Sequence, residues 1–314
     1  MKTELPLVCL CRNRPKLNKT GTNSGYRCSD SECIHSTVHG EFKIYKGIPV
    51  LISQSLCDTV CSTGADQKYV DRPLTKYGGL RKLFIGESKV TKGNCKKFVA
   101  EMLSANERPK VLLIGSGEKG SGTDELWGNE NIEIHGVDIY GSETVNAICD
   151  AHYLPLESNY YDGVWIQAVL EHVVEPHVVV EEIFRVLKPK GLVYAETPFM
   201  QQVHEGAYDF TRFTVLGHRY LFRKFESIQI GGNKGPAVVF AWSARYLAWS
   251  LTTSRLFGRI VGVIFGILMR PLEYAVNDKS LYDASSGVYF LGRKTVDHRL
   301  THKDLIDLYE GQFN

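Results

Sequence analysis

From Lys110 to the end of the chain, short apolar runs alternate with segments whose apolar residues recur at helical spacing. Short apolar runs bounded by turn residues predict buried strands, and strands that alternate with helices are typical of a parallel sheet covered by helices. The predicted strands are 110–115, 132–138, 147–150, 162–168, 191–196, 226–231 and 287–293.

Helices are predicted between these strands and in front of them. One covers 177–187 and ends before Pro189 and Gly191, because proline and glycine stop helices. Another covers 94–103. A long apolar helical region, 238–274, comes before the last strand. The fold class is therefore α/β: a Rossmann-like sheet with helices on both faces, with a helical insertion at 237–285.

The first 55 residues have a different composition. They contain four cysteines, many turn-forming residues and an extended stretch at 42–52. A small, loop-rich unit of this kind usually needs a covalent or metal staple. We therefore predict a small N-terminal β unit at 1–55, a linker with leading helices at 56–109, and the main domain at 110–314.

A glycine-rich turn follows the first strand of the main domain. Val111 to Ile114 lead into Gly115, Ser116 and Gly117, and Gly120 completes a G-x-G-x-x-G pattern. Glycine lets the backbone approach a ligand closely. Asp138 ends the next strand, 21 residues after Gly117, where a carboxylate can accept hydrogen bonds from both ribose hydroxyls. The pattern fits NAD as well as S-adenosylmethionine (SAM).

The runs that follow separate these two cofactors. Asp150 lies in C-D-A-H-Y-L-P-L, residues 161–173 read Y-D-G-V-W-I-Q-A-V-L-E-H-V, and residues 181–198 contain R-V-L-K-P-K-G. In this order the runs resemble class I SAM-dependent methyltransferases of the type 11 kind, and the resemblance covers about 110–198. It implies a SAM-dependent methyltransferase.

The resemblance also implies roles for individual residues. Gly115, Ser116 and Gly117 would pass the methionine part of SAM, and Asp138 with Ile139 would hold the ribose. The adenine would lie between Asp150 and Ala151, and Gln167 with Ala168 would line the methionine side. Glu171, His172 and the 185–191 turn are expected to stabilise the fold. Lys190 replaces the glycine usual in that turn, which we expect to be harmless.

The loop at 197–214, T-P-F-M-Q-Q-V-H-E-G-A-Y-D-F-T-R-F-T, follows the fifth strand at the sheet edge where ligands bind. Its H-x-x-x-x-D-F-x-R-F-T pattern resembles methyltransferases from bacterial surface-polysaccharide and glycan gene clusters. His204 is the candidate general base, with Glu205 or Asp209 to orient it and Arg212 to hold an anionic group. Alternatively, Asp209 and Arg212 form a structural clasp before a helix at 214–224.

The cysteine cluster, Cys9, Cys11, Cys28 and Cys33, offers four thiolates, which suit tetrahedral zinc. With the F-K-I-Y-K-G-I-P-V-L that follows, it resembles the zinc-ribbon-like unit of tRNA methyltransferase activators and the zinc-binding front of some rRNA guanine methyltransferases. Both cysteine spacings differ from the usual C-x2-C. His35 or His39 as replacement ligands, and a metal-free remnant of the ribbon, therefore remain open.

The insertion at 237–285 contains an apolar run of ten residues, 260–269, between Arg259 and Arg270. About 20 residues are needed to cross a bilayer. The run therefore predicts a buried helix, a dimer surface or an interfacial membrane anchor. We favour a helical hairpin packed on the domain or on a partner.

Charge and composition narrow the function classes. The hydrophobic share of 43% and the charged share of 23% exclude wholesale disorder and a polytopic membrane protein. Residues 1–110 carry 19 Lys and Arg against 10 Asp and Glu, while the remainder carries 18 against 25. The basic front suits RNA or an anionic membrane, or is simply a solvated face. The N-terminus lacks the apolar core of a signal peptide, so we expect a cytoplasmic protein with reduced cysteines. A peripheral position at the inner face of the membrane is the alternative left open.

Three hypotheses for function follow. The first is O-methylation of a sugar hydroxyl in glycan or polysaccharide biosynthesis, on a lipid-linked, nucleotide-linked or other small acceptor. The alternative is an rRNA or tRNA base methyltransferase that uses the N-terminal ribbon for RNA contact, although the loop lacks an N-P-P-Y or D-P-P-Y motif. The third is a non-catalytic partner, which the intact Gly115, Gly117, Asp138 and Asp150 disfavour. A homodimer is compatible with each hypothesis.

Overall fold

A computed structural model describes residues 4–21, 25–59, 61 and 88–313. Residue 60 and residues 62–87, half of the segment predicted as linker and leading helices (56–109), lie outside these residues. The helix predicted at 94–103 is part of α1 (Lys89–Ala105), which Ser88 caps by accepting a hydrogen bond from Thr91 N.

The N-terminal unit contains two short antiparallel pairs. Strand β1 (Leu17–Thr20) pairs with β2 (Gly25–Cys28), and β3 (Ile44–Tyr45) pairs with β4 (Ile48–Pro49). The predicted small β unit is therefore present.

The main sheet has seven strands in the order β7-β6-β5-β8-β9-β11-β10. Strands β5 to β9 run parallel, and β11 is antiparallel to both of its neighbours. This is the predicted α/β class, which the structure confirms. The strands are β5 (Lys110–Ile114), β6 (Glu133–Asp138), β7 (Ala147–Ile148), β8 (Tyr161–Gln167), β9 (Leu187–Pro198), β10 (Phe225–Gly232) and β11 (Gly287–Lys294).

Helices cover both faces of the sheet. Successive residues of a strand point to opposite faces, and here both sets of side chains are apolar and are buried by helices. On one face, strand residues such as Leu112 and Val164 pack with Ile183 of α3. On the other face, Val111 and Trp165 pack with Phe98 of α1. The remaining helices are α2 (Asp124–Trp127), α3 (Pro176–Val186), α4 (Val215–Leu221), α5 (Pro236–Thr252), α6 (Arg255–Glu273), α7 (Asp278–Ala284) and α8 (His302–Asp307).

The N-terminal unit shares its core with the main sheet. Cys9 and Phe42 belong to the same buried apolar cluster as Ala147, and Val50 forms a parallel bridge to Ile148 of β7. The two parts of the chain are thus packed together at the β7 edge.

A polar network lies beside this contact. The Glu182 carboxylate accepts hydrogen bonds from Arg14 (3.1 Å), from Arg185 (2.7 Å) and from the backbone N–H of Leu154 (2.9 Å). Buried carboxylates are tolerated when they are paired and hydrogen-bonded in this way. Through Arg14, the network fixes the N-terminal unit to α3.

The predicted helical hairpin consists of α5 and α6, joined at residues 253–254, and the two helices contact chiefly each other. Gly258 and Gly262 permit the close approach, since an added Cβ would crowd Trp249 or Arg245. Within the described residues, no helix is long and apolar enough to cross a membrane. Large apolar side chains remain exposed on the hairpin: Phe240, Leu247, Leu251, Leu256, Phe257, Ile260, Val263, Ile264, Ile267, Leu268, Leu272 and Tyr274.

Candidate active site

The glycine loop, residues 115–120, begins where β5 ends. Gly115 has a φ of 79°, in the left-handed region that favours glycine, and its N–H donates to Val137 O at 2.9 Å. A Cβ on Gly115 would collide with Val169, and one on Gly117 would collide with the ring of Tyr140. The backbone conformation and the packing therefore both favour glycine at position 115, while a side chain at position 117 would require the Tyr140 ring to move.

Asp138 connects this loop to the end of β6. Its Oδ2 accepts the Gly117 N–H at 2.7 Å, and its Oδ1 accepts the Ile139 N–H at 2.7 Å. The side chain is thereby held in one orientation at the carboxyl end of the sheet.

Asp150 is held more tightly than the sequence suggests. Its Oδ1 accepts hydrogen bonds from the N–H (2.9 Å) and Nδ1 (2.6 Å) of His152, and its Oδ2 accepts one from the Thr59 hydroxyl. Burial acts to raise the pKa of Asp150, but the bonds from His152 and Thr59 outweigh it and leave this pKa below its ordinary value. A ligand on Asp150 must share or replace the Thr59 contact.

Gln167 and Ala168 end β8 beside the glycine loop. The Gln167 side chain donates to Ser121 O at 3.3 Å. Ala168 has a φ of 55°, which costs a residue with a Cβ about 1 kcal/mol or more. Strained residues of this kind cluster at functional sites, and the carboxyl ends of parallel strands are where open α/β sheets bind ligands.

The 197–214 loop is organised by Asp209 and Arg212. The Asp209 carboxylate pairs with the Arg212 guanidinium through both nitrogens, one of them at 2.7 Å, and these bonds lower the pKa of Asp209 to about 2. Arg212 also donates to the backbone oxygens of Gln201 (3.0 Å), Gln202 and Thr211. All five of its N–H groups are thus hydrogen-bonded, and Arg212 holds the loop together. To bind an anionic substrate, Arg212 would have to give up one of these partners.

The same carboxylate orients His204. Asp209 Oδ2 accepts the His204 backbone N–H at 2.9 Å and lies 3.2 Å from His204 Nδ1. Burial lowers the pKa of His204 below its ordinary value. The clasp and the oriented imidazole, which the sequence left as alternatives, are therefore both present in one arrangement.

The loop folds back on the LEH turn, residues Leu170–His172. Phe210 N donates to Glu171 O at 2.7 Å, and the His172 Nδ1 lies 2.6 Å from Tyr208 O. His204 thereby reaches the Glu171 carboxylate, with 3.9 Å between Nε2 and Oε1, while His172 Nε2 lies 3.6 Å from the same oxygen. The rings of His172 and His204 meet edge to face at 4.8 Å.

Comparison with known proteins shows which class of domain this geometry belongs to. Residues 112–195, from β5 to β9, match a protein-family model described as a methyltransferase domain. The chain is a SAM-dependent methyltransferase. No curated protein matches it.

Solved structures resemble the methyltransferase only distantly. One is a SAM-dependent methyltransferase from Archaeoglobus fulgidus, with 18% identity over 70% of this chain and 100% of that one, at a TM-score of 0.43. Another is a protein provisionally named a sarcosine dimethylglycine methyltransferase, from Galdieria sulphuraria, with 16% identity, 66% and 86% coverage and a TM-score of 0.44. A third is phosphoethanolamine N-methyltransferase 2 from Haemonchus contortus, with 17% identity, 73% and 59% coverage and a TM-score of 0.43. Such likenesses carry no acceptor over to this chain.

The LEH turn has surroundings that sequence reasoning did not reveal. The backbone of Glu171 does support the fold, by accepting from Phe210. Its side chain, however, is fully buried, and neither carboxylate oxygen hydrogen-bonds to any described residue. Burial raises the pKa of Glu171 to about 8. In the sequence, only the adjacent Glu171 and His172 indicated a possible site. What surrounds them depends on a loop that follows some 30 residues later.

The cysteine cluster of the methyltransferase is compact. The four Sγ atoms lie within 4.8 Å of one another, with 3.6 Å between Cys9 and Cys33 and 3.8 Å between Cys11 and Cys28. Tetrahedral zinc with Zn–S bonds of about 2.3 Å needs sulfurs about 3.8 Å apart. The cluster is therefore compatible with a zinc ribbon. The ring nitrogens of His35 contact the Ser53 hydroxyl (2.7 Å from Nε2) and the backbone oxygen of Gly40. The four cysteines therefore complete the ligand set without a histidine.

Proposed function

We propose that the enzyme transfers the methyl group of SAM to a hydroxyl group of a sugar during glycan or polysaccharide biosynthesis. The observation that carries the proposal is the His204 imidazole, oriented by Asp209 and placed beside Glu171 at the carboxyl edge of the sheet. A hydroxyl acceptor must lose its proton during methyl transfer, so it needs a positioned proton acceptor. The resemblance of the 197–214 loop to methyltransferases from glycan gene clusters supports a sugar acceptor.

SAM supplies a methyl group on a sulfonium, and the protein has to align the acceptor with it. Asp138 is oriented to accept from the ribose hydroxyls, and Asp150 marks the adenine side. At Gly115, Gly117 and Ala168 the backbone would come close to the methionine part, because glycine carries no side chain and Ala168 has a left-handed conformation. The proposed cofactor residues are Gly115, Ser116, Gly117, Asp138, Ile139, Asp150, Ala151, Gln167 and Ala168.

In this proposal His204 accepts the hydroxyl proton at Nε2. Its Nδ1 lies 3.2 Å from Asp209 Oδ2, and this carboxylate favours the tautomer with the proton on Nδ1 and stabilises the imidazolium that forms. Arg212 in turn fixes Asp209 through two parallel contacts. The three residues act as a unit in which Asp209 and Arg212 position the ring of His204.

The acceptor class is tested by incubating the full chain with methyl-labelled SAM and, separately, with a glycan fraction and total RNA from the source cells. We expect label in the glycan fraction. Label in RNA, together with RNA binding that weakens steeply as the salt concentration rises, would overturn the proposal. That result would favour an RNA methyltransferase whose basic N-terminal unit contacts the RNA. A calorimetric titration with SAM that shows no heat of binding would contradict both the glycan and the RNA hypothesis.

We further propose that the α5–α6 hairpin contacts the surface of a membrane, where a lipid-linked acceptor would be found. Residues 236–274 carry four arginines, Arg245, Arg255, Arg259 and Arg270, and one acidic residue, Glu273. A helical surface that combines exposed apolar side chains with an excess of arginines suits an anionic lipid interface.

Sedimentation with vesicles of phosphatidylglycerol and phosphatidylethanolamine tests this contact. The full chain should sediment with the vesicles, and the double variant Ile260→Asp/Ile264→Asp should lose at least about tenfold in binding, because two apolar side chains no longer insert. Ile306→Asp, at an isoleucine on α8 that is even more exposed (70% against 48% and 49%), is the control. A concentration-dependent dimer that does not bind vesicles and dissociates in the double variant would identify a dimer surface instead.

We also propose that the cysteine cluster binds one zinc ion. Protein purified without chelator should contain about one equivalent, and Cys28→Ser should lose the metal and unfold at a lower temperature, since a structural zinc contributes folding free energy directly. Cys95→Ser, a buried cysteine on α1, should keep the metal. Elemental analysis that finds well under about a tenth of an equivalent in the unaltered protein would contradict this prediction.

A further inference from the structure

We infer that Glu171, His172 and His204 form a second metal site, which binds a divalent first-row transition ion between the LEH turn and the 197–214 loop. Their ligand atoms lie within 4.8 Å of one another. The inference rests on the proposed function only in placing the acceptor at this loop, because the ion itself is a property of the three side chains.

The spacing of the ligand atoms fits an ion. Glu171 Oε1 lies 3.6 Å from His172 Nε2 and 3.9 Å from His204 Nε2. Bonds of about 2.0 to 2.2 Å from zinc to nitrogen and oxygen place neighbouring ligand atoms about 3.3 Å apart in a tetrahedral site. Shifts of about 0.3 Å at His172 Nε2 and about 0.6 Å at His204 Nε2 would bring both nitrogens to that distance from Glu171 Oε1.

The Glu171 carboxylate gives the independent evidence for a ligand. It is fully buried, both of its oxygens lack a hydrogen-bond partner among the described residues, and the nearby Arg212 is committed to Asp209 and to backbone oxygens. Native proteins pair buried carboxylates or use them to coordinate metals. An ion between Glu171 and the histidines would satisfy a group that is otherwise costly to bury.

Both histidines are held as metal ligands usually are. His172 Nδ1 lies 2.6 Å from the backbone oxygen of Tyr208, and His204 Nδ1 lies 3.2 Å from Asp209 Oδ2. The Tyr208 carbonyl can only accept, so His172 carries its proton on Nδ1, and the Asp209 carboxylate favours the same tautomer of His204. The Nε2 atom of each ring is then unprotonated and lies 3.6 or 3.9 Å from Glu171 Oε1. Bonding of the second ring nitrogen to a carboxylate or carbonyl is the common outer shell of metal-bound histidine.

The ligand set also determines the kind of ion. Two imidazoles and one carboxylate favour zinc, cobalt, iron or nickel over magnesium and calcium, which prefer oxygen ligands. Three protein ligands leave at least one position open. A hydroxyl oxygen bound there would lose its proton to water more easily, after which the new O–C bond forms, the S–C bond breaks and its electron pair stays on sulfur.

His204 has one of two roles in any one state of the enzyme. With the ion bound, Nε2 is a ligand and the ion activates the hydroxyl group; without it, Nε2 accepts the proton as proposed above. The metal content of active enzyme therefore decides between the two, whichever acceptor is used.

Cobalt titration of the full chain, with the cysteine cluster already filled by zinc, tests the site without any acceptor. We expect one equivalent of cobalt, with visible absorption that lacks the thiolate-to-cobalt band of a cysteine site. Glu171→Gln, His172→Ala and His204→Ala should each weaken cobalt binding by at least about a hundredfold, and Asp209→Asn by about ten- to a hundredfold.

Two controls keep this test decisive. His177→Ala, an exposed histidine on α3, should bind cobalt like the unaltered chain. Glu171→Gln is isosteric, so its melting temperature without metal should stay close to that of the unaltered protein. If the folded Glu171→Gln and His172→Ala variants bind cobalt normally, or the unaltered chain binds none, the metal site is refuted. Glycan methylation would survive that result, just as cobalt binding would survive the loss of the glycan proposal.

Discussion

Replacing Asp138 by alanine is expected to weaken SAM binding by at least about a hundredfold while the protein stays folded. The side chain orients the glycine loop through Gly117 and is the proposed acceptor for the ribose hydroxyls. Hydrogen bonds to a charged group contribute about 1.5 to 3 kcal/mol each, and about 1.4 kcal/mol corresponds to tenfold in affinity. Calorimetric titration with SAM measures the loss directly.

Two companion variants make the Asp138 result interpretable. Asp138→Asn keeps one acceptor oxygen without the charge and should lie between the alanine variant and the unaltered chain. Asp297→Ala, an exposed acidic residue after β11, should bind SAM normally. Normal SAM binding by a folded Asp138→Ala protein would remove Asp138 from the cofactor site.

Replacing His204 by alanine should leave SAM binding intact and reduce turnover by about 10² to 10⁴. General bases contribute rate factors of this size, and loss of a metal ligand would be at least as damaging. SAM binding should survive because the contacts of His204 are with Asp209 and the LEH turn rather than with the glycine loop. Single-turnover methylation of the proposed glycan acceptor, measured beside a SAM titration, separates turnover from SAM binding.

The partner residue supplies the graded comparison. Asp209→Asn weakens the orientation of the ring but keeps the imidazole, so its turnover should fall less than that of His204→Ala. His39→Ala, an exposed histidine in the N-terminal unit, should have normal turnover. Unchanged turnover in His204→Ala would take this residue out of the mechanism, both as a base and as a ligand.

The sheet and the glycine loop were predictable because their signals are local. The apolar run from Val111 to Ile114, the glycines after it and the carboxylate at Asp138 all lie within one strand-turn-strand unit. The structure places them together at the carboxyl edge, as that pattern requires. The strand at 191–196 is longer in the structure, because β9 begins at Leu187 and includes the turn.

Lys190 shows what a local pattern hides. Its φ is 66°, so this turn favours the glycine that the family usually has there. The sequence shows that a lysine replaces the glycine, but it does not show the backbone conformation. A lysine in this left-handed conformation costs roughly 1 kcal/mol of folding free energy. That cost is small beside the burial of the strands on either side.

Contacts between distant segments could not be predicted from either segment alone. Thr59 reaches Asp150 across 91 residues, and the LEH turn acquires its histidine neighbour only when the 197–214 loop folds back. The spacing of apolar residues in 260–269 predicted a helix but could not say what covers its apolar face. In each case the missing information is the packing of a second segment against the first.

The core that the N-terminal unit shares with β7 has a consequence for how the protein unfolds. Segments that bury the same apolar surface gain their stability together, so they open as one cooperative unit rather than as two modules. The compositional change near residue 55 is therefore no thermodynamic boundary. A chain shortened to begin there would expose the β7 edge and leave the Glu182 carboxylate without Arg14. The N-terminal unit is therefore part of the folding unit that holds the proposed cofactor site.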